Sequence, residues 1–207
     1  NMAYTAVPTV NTGDPWSASD HNTYVKENFA YFKTLTDSLV SRLSVRQLWV
    51  SNWKPTLTNG CLSSAQLETA TNKVVVDYTG FVDAATKYGY ANVPMPEDYT
   101  GGTVYYKVYW KHPTATKYVV RWQLSGVAVG NNETLDVATG TAVAVDDTGG
   151  TADKLYISDL SGAVTIAGSP AAGELVQFLV SRAGAHANDT LDATARLIGV
   201  TIWYPVG

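Results

Sequence analysis

The chain of 207 residues has a formal net charge of −4, with 45% hydrophobic and 15% charged residues. Its basic residues form no large cluster, which argues against binding to nucleic acid through the phosphates. No apolar run approaches the roughly 20 residues that a membrane-spanning helix needs, so no membrane partner is expected. The single cysteine, Cys61, excludes a disulfide within the chain and is predicted to be a small buried hydrophobic residue.

Residues 1–16 are predicted to form an extended arm. They contain Pro8, Gly13 and Pro15 and show no sustained hydrophobic period. The step from Asp14 to Pro15 interrupts the chain, and a helix can begin after it.

Residues 17–46 are predicted to form one long helix. Ser17 and Ser19 are suitable N-cap residues, and Asp20 is favourable at the positive end of the helix. Apolar side chains then recur at helical spacing, which is compatible both with a short coiled coil and with an amphipathic helix packed on its own domain. The sequence leaves both arrangements open. In the first, the apolar stripe is an oligomerisation or anchoring surface, formed by Val25, Phe29, Phe32, Leu35, Leu39 and Leu43.

The remainder of the chain is predicted to be a β-domain. Residues 47–72 should hold a linker and the first strand, because Pro55 and the Asn59–Gly60 pair are turn-forming. Residues 73–207 should form a mainly β, antiparallel sandwich of the jelly-roll type, since short alternating segments follow one another with glycine-rich turns and no helix between them. The immunoglobulin alternative would require a cysteine pair.

Alternation along the strands predicts which side chains face the core. Successive side chains of a strand point to opposite faces, so every second residue shares one face. The predicted inward groups are Val104, Tyr106, Val108 and Trp110 in one strand, Tyr118, Val120, Trp122 and Leu124 in the next, and Ile198, Val200, Ile202 and Tyr204 in the last.

The sequence shows no recognisable catalytic or metal-binding pattern. Adjacent side chains on a helix point about 100° apart, so Asp20, His21 and Asn22 cannot form a relay with one another. The three histidines lie in separate segments without the spacing of zinc ligands. Paired acids and the oxygen-rich segment 146–153 are typical of solvated turns. We therefore predict no cofactor, no metal and no enzymatic activity.

One strand face carries more aromatic side chains than a surface exposed to solvent usually has. Tyr105 and Tyr109 alternate there with Lys107 and Lys111. Three interpretations remain open. The face is a subunit interface, in which tyrosine is enriched, or a glycan-binding platform, on which flat rings stack against sugars, or an ordinary sheet face with cross-strand aromatic pairs.

Several segments resemble proteins of tailed-bacteriophage virions. The segment GDPWSASDHNTYVKENFAYFKTL resembles a recurring N-terminal segment of these proteins, and the match is carried by Trp16, Ala18, Asn22, Tyr24, Val25, Lys26, Glu27 and Asn28. The motifs MPEDYTGGTVYYKVYW, PAAGELVQFLVSR and DTLDATARLIGVTIWY are similar to those of a family of phage and prophage-like proteins. The resemblance extends from residue 12 to residue 204. It implies structural framework, including a region from Asp189 to Arg196 that would lock the last hairpin.

The resemblance implies a non-enzymatic virion component, either a trimeric capsid decoration (cement) protein or a head fibre, attached through its N-terminal segment. Its partners would be two further copies of the chain and the major capsid protein or another virion subunit. The alternative is a receptor- or carbohydrate-binding module of a tail fibre, whose partner is a host surface glycan. An enzyme of the depolymerase kind is least supported, because no catalytic acid pair can be identified.

Overall fold

The computed structural model describes residue 23 and residues 25–34, 45–114 and 116–207. The chain divides into two compact units, Asn1–Val45 and Arg46–Gly207. Thr23 and residues 25–34 of the first unit are helical. The predicted arm and the rest of the predicted helix lie outside the described residues, except that residues 45 and 46 belong to a strand. Among the described helical residues, none form a segment long and apolar enough to cross a membrane.

Eleven strands lie in the described part of the chain. They are β1 (Val45–Val50), β2 (Lys54–Pro55), β3 (Ser64–Glu68), β4 (Val75–Phe81), β5 (Lys87–Pro94), β6 (Tyr105–Lys111), β7 (Tyr118–Val129), β8 (Val143–Gly149), β9 (Tyr156–Ile157), β10 (Leu175–Arg182) and β11 (Ala195–Pro205).

These strands form two sheets around one core. The six-stranded sheet has the order β3-β4-β11-β6-β9, with β1 also paired to β11, and the five-stranded sheet has the order β2-β5-β10-β7-β8. The long ladders β5–β10, β10–β7, β7–β8 and β11–β6 are all antiparallel. From β4 onwards the chain crosses repeatedly between the sheets, so both sheets contribute side chains to the same core. The predicted mainly β, antiparallel sandwich is confirmed.

The core forms where the predicted inward faces of β6 and β7 meet. Its edge-to-face aromatic contacts include Trp110 with Trp122 at 6.2 Å and Phe81 with Trp122 at 5.3 Å between ring centroids. Tyr118 is half-buried and packs against this core. The other predicted members are fully buried, namely Val104, Tyr106, Val108, Trp110, Val120, Trp122 and Leu124.

The prediction of the inward residues of β11 is wrong for the first of them, Ile198. A bulge between Leu197 and Gly199 shifts the register against β6. A bulge adds one residue and reverses the alternation across it. Leu197 is therefore fully buried, whereas Ile198 is only half-buried. Beyond the bulge, Val200, Ile202 and Tyr204 point inwards as predicted.

The structure also differs from the prediction of a linker and one strand over residues 47–72. β1 begins at Val45, so the helix cannot extend to residue 46, and three strands lie between residues 45 and 68. Val50 and Trp53 are buried in the sandwich core. The segment escaped recognition because β2 is two residues long and β3 contains Leu67 as its one large apolar residue. Neither strand has enough alternation to be seen in the sequence.

Candidate functional site

The outer face of the six-stranded sheet carries four aromatic side chains around a lysine. Tyr106, Val108 and Trp110 point into the core, so the intervening residues of β6 point outwards. Trp49 likewise lies between Leu48, which packs against the core, and the buried Val50. We call this surface the aromatic face; it comprises Trp49, Tyr105, Lys107, Tyr109 and Trp203. Trp49 is 48% exposed and Tyr105 is 37% exposed, and the other three are half-buried.

Trp49 is fixed in orientation by two contacts. Its ring meets Tyr109 edge to face, with 5.0 Å between the ring centroids and 79° between the ring planes. Its other contact is with the backbone at Gly199, where an added Cβ atom would lie 2.2 Å from Cζ2 of the indole. Only glycine leaves room for the ring at this position. The β11 bulge therefore seats Trp49 on the sheet and leaves about half of it accessible.

The aromatic side chains form two groups along the strands. Tyr105 is paired across the ladder with Trp203, and Tyr109 is paired with Gly199, on which Trp49 rests. Tyr105 and Tyr109 are four residues apart, which corresponds to about 14 Å along a strand at roughly 3.4 Å per residue. Lys107 lies between the two groups, with its Nζ atom 6.0 Å from the ring centroid of Trp203. The face is thus long enough to contact more than one ring of an extended ligand.

A groove adjoins the aromatic face at Trp49. β4 pairs with β11 over only three residues, from Ala195↔Phe81 to Leu197↔Thr79, and then separates from it. The resulting cavity has a volume of about 630 Å³ and lies between β1 and the β3–β4 hairpin. Its lining consists of Trp49, Ser51, Asn52, Ser64, Ala65, Gln66, Val75, Val76, Asp77, Tyr78, Thr79 and Ile198.

The groove is polar, in contrast to the aromatic face. Gln66 donates a hydrogen bond from Nε2 to Oδ1 of Asp77 at 2.8 Å. The amide oxygen of Gln66 and the second carboxylate oxygen of Asp77 remain as acceptors. Asn52 has a positive φ of 62°, a conformation that asparagine tolerates better than most residues. The groove therefore offers hydrogen-bonding groups next to an exposed indole.

The ionisable groups that most resemble catalytic residues are buried in structural positions. Burial raises the pKa of Cys61 to about 11, so its thiol stays protonated at neutral pH. Its predicted role as a small buried hydrophobic residue is confirmed. His112 is fully buried, with Nδ1 2.8 Å from Oγ1 of Thr114, and burial lowers its pKa. Among the described residues, no group of three His, Cys, Asp or Glu side chains could hold a metal ion.

Most of the acids that occur in pairs along the sequence have structural partners. Asp98 forms an ion pair with Arg46 at 2.7 Å. Asp146 pairs with Arg121 at 2.8 Å, and Asp147 accepts a hydrogen bond from Trp110 Nε1 at 2.6 Å. Asp189 pairs with Arg182 at 2.7 Å, with both side chains fully buried. These carboxylates are engaged in holding strands and loops in place.

The predicted oligomerisation stripe is only partly within the described residues. Leu35, Leu39 and Leu43 lie outside them. Val25 is half-buried, whereas Phe29 is 72% exposed and Phe32 is 56% exposed. Asn28, on the same helix, is buried. The helix therefore exposes two large apolar rings and buries an amide.

The sequence predicts part of the aromatic face but not the rest. The structure places Tyr105 and Tyr109 on the same outer face, as alternation predicts. It adds Trp49 and Trp203, which come from β1 and β11. A signal for Trp203 was present, since it alternates with the inward Ile202 and Tyr204. The pairing of β1 and β6 with β11 is long-range and could not be read from the sequence.

No family model and no curated protein matches the chain. Solved structures share a distant likeness in fold, and two of them are given as examples. One contains the CBM22-1 and GH10 modules of endo-1,4-beta-D-xylanase 10B from Clostridium thermocellum, complexed with xylohexaose; it is 14% identical at a TM-score of 0.39, over 75% of this chain and 28% of that chain. The other is a family 11 carbohydrate-binding module from Clostridium thermocellum with a β-1,3-1,4-mixed-linked tetrasaccharide; it is 8% identical at a TM-score of 0.37, over 80% and 89% of the two chains. These values describe a distant likeness and assign no activity.

Proposed function

We propose that this protein is a non-enzymatic carbohydrate-binding module. The aromatic face, continued into the adjoining groove, holds an extended oligosaccharide. The observation that carries the proposal is the seating of Trp49. A half-exposed indole is fixed between Tyr109 and Gly199, at the point where the aromatic face meets the polar groove.

The chemistry of sugars suits this combination of surfaces. A pyranose ring has an apolar face of C–H groups and an equatorial rim of hydroxyl groups. Aromatic rings bury the apolar face, and rigid rings do so at a low cost in conformational entropy. The amide and carboxylate groups of Gln66, Asp77 and Asn52 can exchange hydrogen bonds with hydroxyl groups. The fixed orientation of Trp49 further reduces the entropy lost on binding.

The first prediction concerns the loss of individual rings. Tyr105→Ala and Tyr109→Ala should each weaken oligosaccharide binding by about 1 to 2 kcal/mol, roughly five- to thirtyfold in Kd, because each removes a stacking surface. The measurement is screening of the wild-type chain on an array of neutral and acidic oligosaccharides, followed by calorimetric titration of the strongest ligands. Tyr90→Ala is the matched control, because it removes a half-buried tyrosine of β5 in the other sheet.

Two results would count against this proposal. If no oligosaccharide on the array binds the wild-type chain, the function is not carbohydrate binding. If Tyr90→Ala abolishes binding while Tyr105→Ala and Tyr109→Ala retain it, the site lies elsewhere. The thermal midpoint of each variant separates loss of binding from loss of fold.

A second candidate function is that of a virion structural protein, either a capsid decoration protein or a head fibre, which assembles through its N-terminal helix. The observation that favours it is the exposure of Phe29 and Phe32 on that helix. A helix of a globular protein usually turns its apolar side chains to a core, so exposed rings fit an interface between copies. The expected assembly is a homotrimer, in which three copies together would attach more tightly than one to a capsid protein. The two functions are compatible, since a fibre also carries receptor-binding modules.

The second prediction tests this assembly. The double variant Phe29→Ser, Phe32→Ser should sediment as a monomer, because it removes the apolar contact between helices, whereas the wild-type chain should sediment as a trimer. Lys26→Ser is the control, since it changes an exposed position of the same helix. The candidate fails if the wild-type chain is monomeric at all concentrations or if the double variant remains a trimer.

A further inference from the structure

We propose that the aromatic face selects acidic oligosaccharides and that Lys107 recognises their carboxylate groups. The inference rests on the proposed carbohydrate-binding function and adds the class of ligand to it. It concerns sugars that carry a carboxylate on the ring, such as uronic and sialic acids.

Lys107 occupies the middle of the face. Its neighbours on β6 are Tyr105 and Tyr109, and its partner across the ladder is Thr201, whose short side chain is buried. The Nζ atom lies 6.0 Å from the ring centroid of Trp203, within the range of a weak cation–π attraction. The ammonium group is therefore held over the face. A sugar stacked on either aromatic group would present its substituents to this group.

Lys107 forms no ion pair with a carboxylate among the described residues, whereas the other cations around the face do. Lys111 and Arg196 both pair with Asp153, at 2.8 and 3.5 Å, and the hydrogen bond from Lys111 holds the pKa of Asp153 below its usual value. Arg46 pairs with Asp98. The segment 158–161 runs beside β6, because the backbone amides of Ser158 and Ser161 donate hydrogen bonds to the carbonyl oxygens of Val108 and Tyr106. The acid of this segment, Asp159, forms no ion pair with Lys107.

A carboxylate on a sugar fits this arrangement better than other anions do. A nucleic acid or a polyanionic protein requires several cations to neutralise it, and the described face offers one unpaired cation. The chain as a whole is negatively charged, so it does not attract polyanions over long distances. A uronic or sialic acid instead combines one carboxylate with an apolar ring face, and the aromatic face offers a complement to both, Lys107 for the carboxylate and the aromatic rings for the apolar face.

The third prediction compares acidic and neutral ligands that are otherwise alike. Two pairs serve as probes, each differing by one carboxylate-bearing sugar: sialyllactose and lactose, and xylo-oligosaccharides with and without glucuronic acid. In the pairs that bind, the acidic member should bind the wild-type chain more tightly. Lys107→Gln should weaken acidic binding about three- to fivefold more than it weakens neutral binding, as expected for the loss of a solvent-accessible ion pair. Lys107→Arg should retain the preference, and Lys117→Gln removes an exposed charge elsewhere as the control.

Salt dependence provides a second readout. Raising the salt concentration from about 50 to about 500 mM should weaken the binding of the acidic ligand to the wild-type chain, because salt screens the attraction between the ligand and Lys107. In the Lys107→Gln variant, the remaining electrostatic field is that of a negatively charged protein. The same increase in salt concentration should therefore leave the binding of the acidic ligand unchanged or strengthen it.

The outcomes separate the two proposals. If neutral members bind as tightly as acidic members, or if Lys107→Gln weakens both equally, the inference about acidic sugars is wrong and the carbohydrate-binding function stands. If neither member of any pair binds and the wider array is also empty, both proposals fail. If binding is lost in Lys117→Gln as well, the effect is one of net charge and does not belong to Lys107.

Discussion

Arg182 illustrates how one residue can connect three parts of the sandwich. It is fully buried, and its guanidinium donates to both carboxylate oxygens of Asp189, at 2.7 and 3.0 Å. It also donates to the carbonyl oxygens of Phe81 and Ala193, at 3.0 and 2.6 Å, and to that of Leu191. These contacts tie β10 to the end of β4 and to the loop before β11. A planar guanidinium with five donors can satisfy all of these acceptors at once.

The fourth prediction is that Asp189→Asn strongly destabilises the fold. The substitution keeps the shape of the side chain but removes the buried counterion of Arg182, whose remaining carboxylate partner, Asp83, is partly exposed and lies 3.5 Å away. Loss of a buried partner typically costs about 3 to 5 kcal/mol. The measurement is the free energy of unfolding in urea. Asp146→Asn is the matched control, because it breaks another Arg–Asp pair, Arg121–Asp146, that is partly exposed and should cost about 1 kcal/mol or less. Equal effects in the two variants would contradict this account of Arg182.

The partner of Asp189 also shows what the sequence could not provide. The resemblance to phage proteins implied that the region from Asp189 to Arg196 locks the last hairpin. In the structure Asp189 pairs with Arg182, while Arg196 pairs with Asp153 and lies over the ring of Tyr78 at 5.2 Å. A sequence shows which charges exist, but their pairing follows from strand order and register.

At the scale of the element, period-two alternation predicted those strands that have one buried face and sufficient length. β6 and β7 meet both conditions, and their inward residues are as predicted. β11 has the length but contains a bulge, so the prediction holds only beyond Gly199. β1, β2 and β3 are short or lack contrast between apolar and polar residues, so the sequence predicts a linker over most of them.

These misassigned elements determine the candidate site. β1 supplies Trp49, the bulge of β11 makes room for its ring at Gly199, and the β3–β4 hairpin forms the far wall of the groove. The predicted part of the site, Tyr105 and Tyr109, comes from the regular strand β6. Irregular or short elements therefore contribute the features that give the surface its shape. This is expected where local regularity yields to the requirements of a binding surface.

At the scale of the whole molecule, the sandwich contains its own core. Among the described residues, the core cluster begins at Val50 and ends at Val206, with Leu48 packed against it. Every residue of the aromatic face and of the groove lies in the second unit. Folding and ligand binding should accordingly belong to the second unit, and assembly to the first.

The fifth prediction tests this division by shortening the chain at two points. A chain of residues 45–207 keeps β1 and should melt within a few degrees of the full chain and bind the same oligosaccharides, because it retains the core, the aromatic face and the groove. A chain of residues 51–207 lacks Leu48, Trp49 and Val50. It should lose about 2 to 5 kcal/mol of stability through the loss of buried apolar side chains, together with most of its ligand binding. Thermal melting by circular dichroism and titration with the array ligands measure both effects, and sedimentation of the 45–207 chain should show a monomer if the helix mediates assembly.

If the 45–207 chain fails to fold, the first unit is part of the sandwich. If the 51–207 chain is as stable as the 45–207 chain and binds as well, β1 is dispensable and Trp49 is not part of the site.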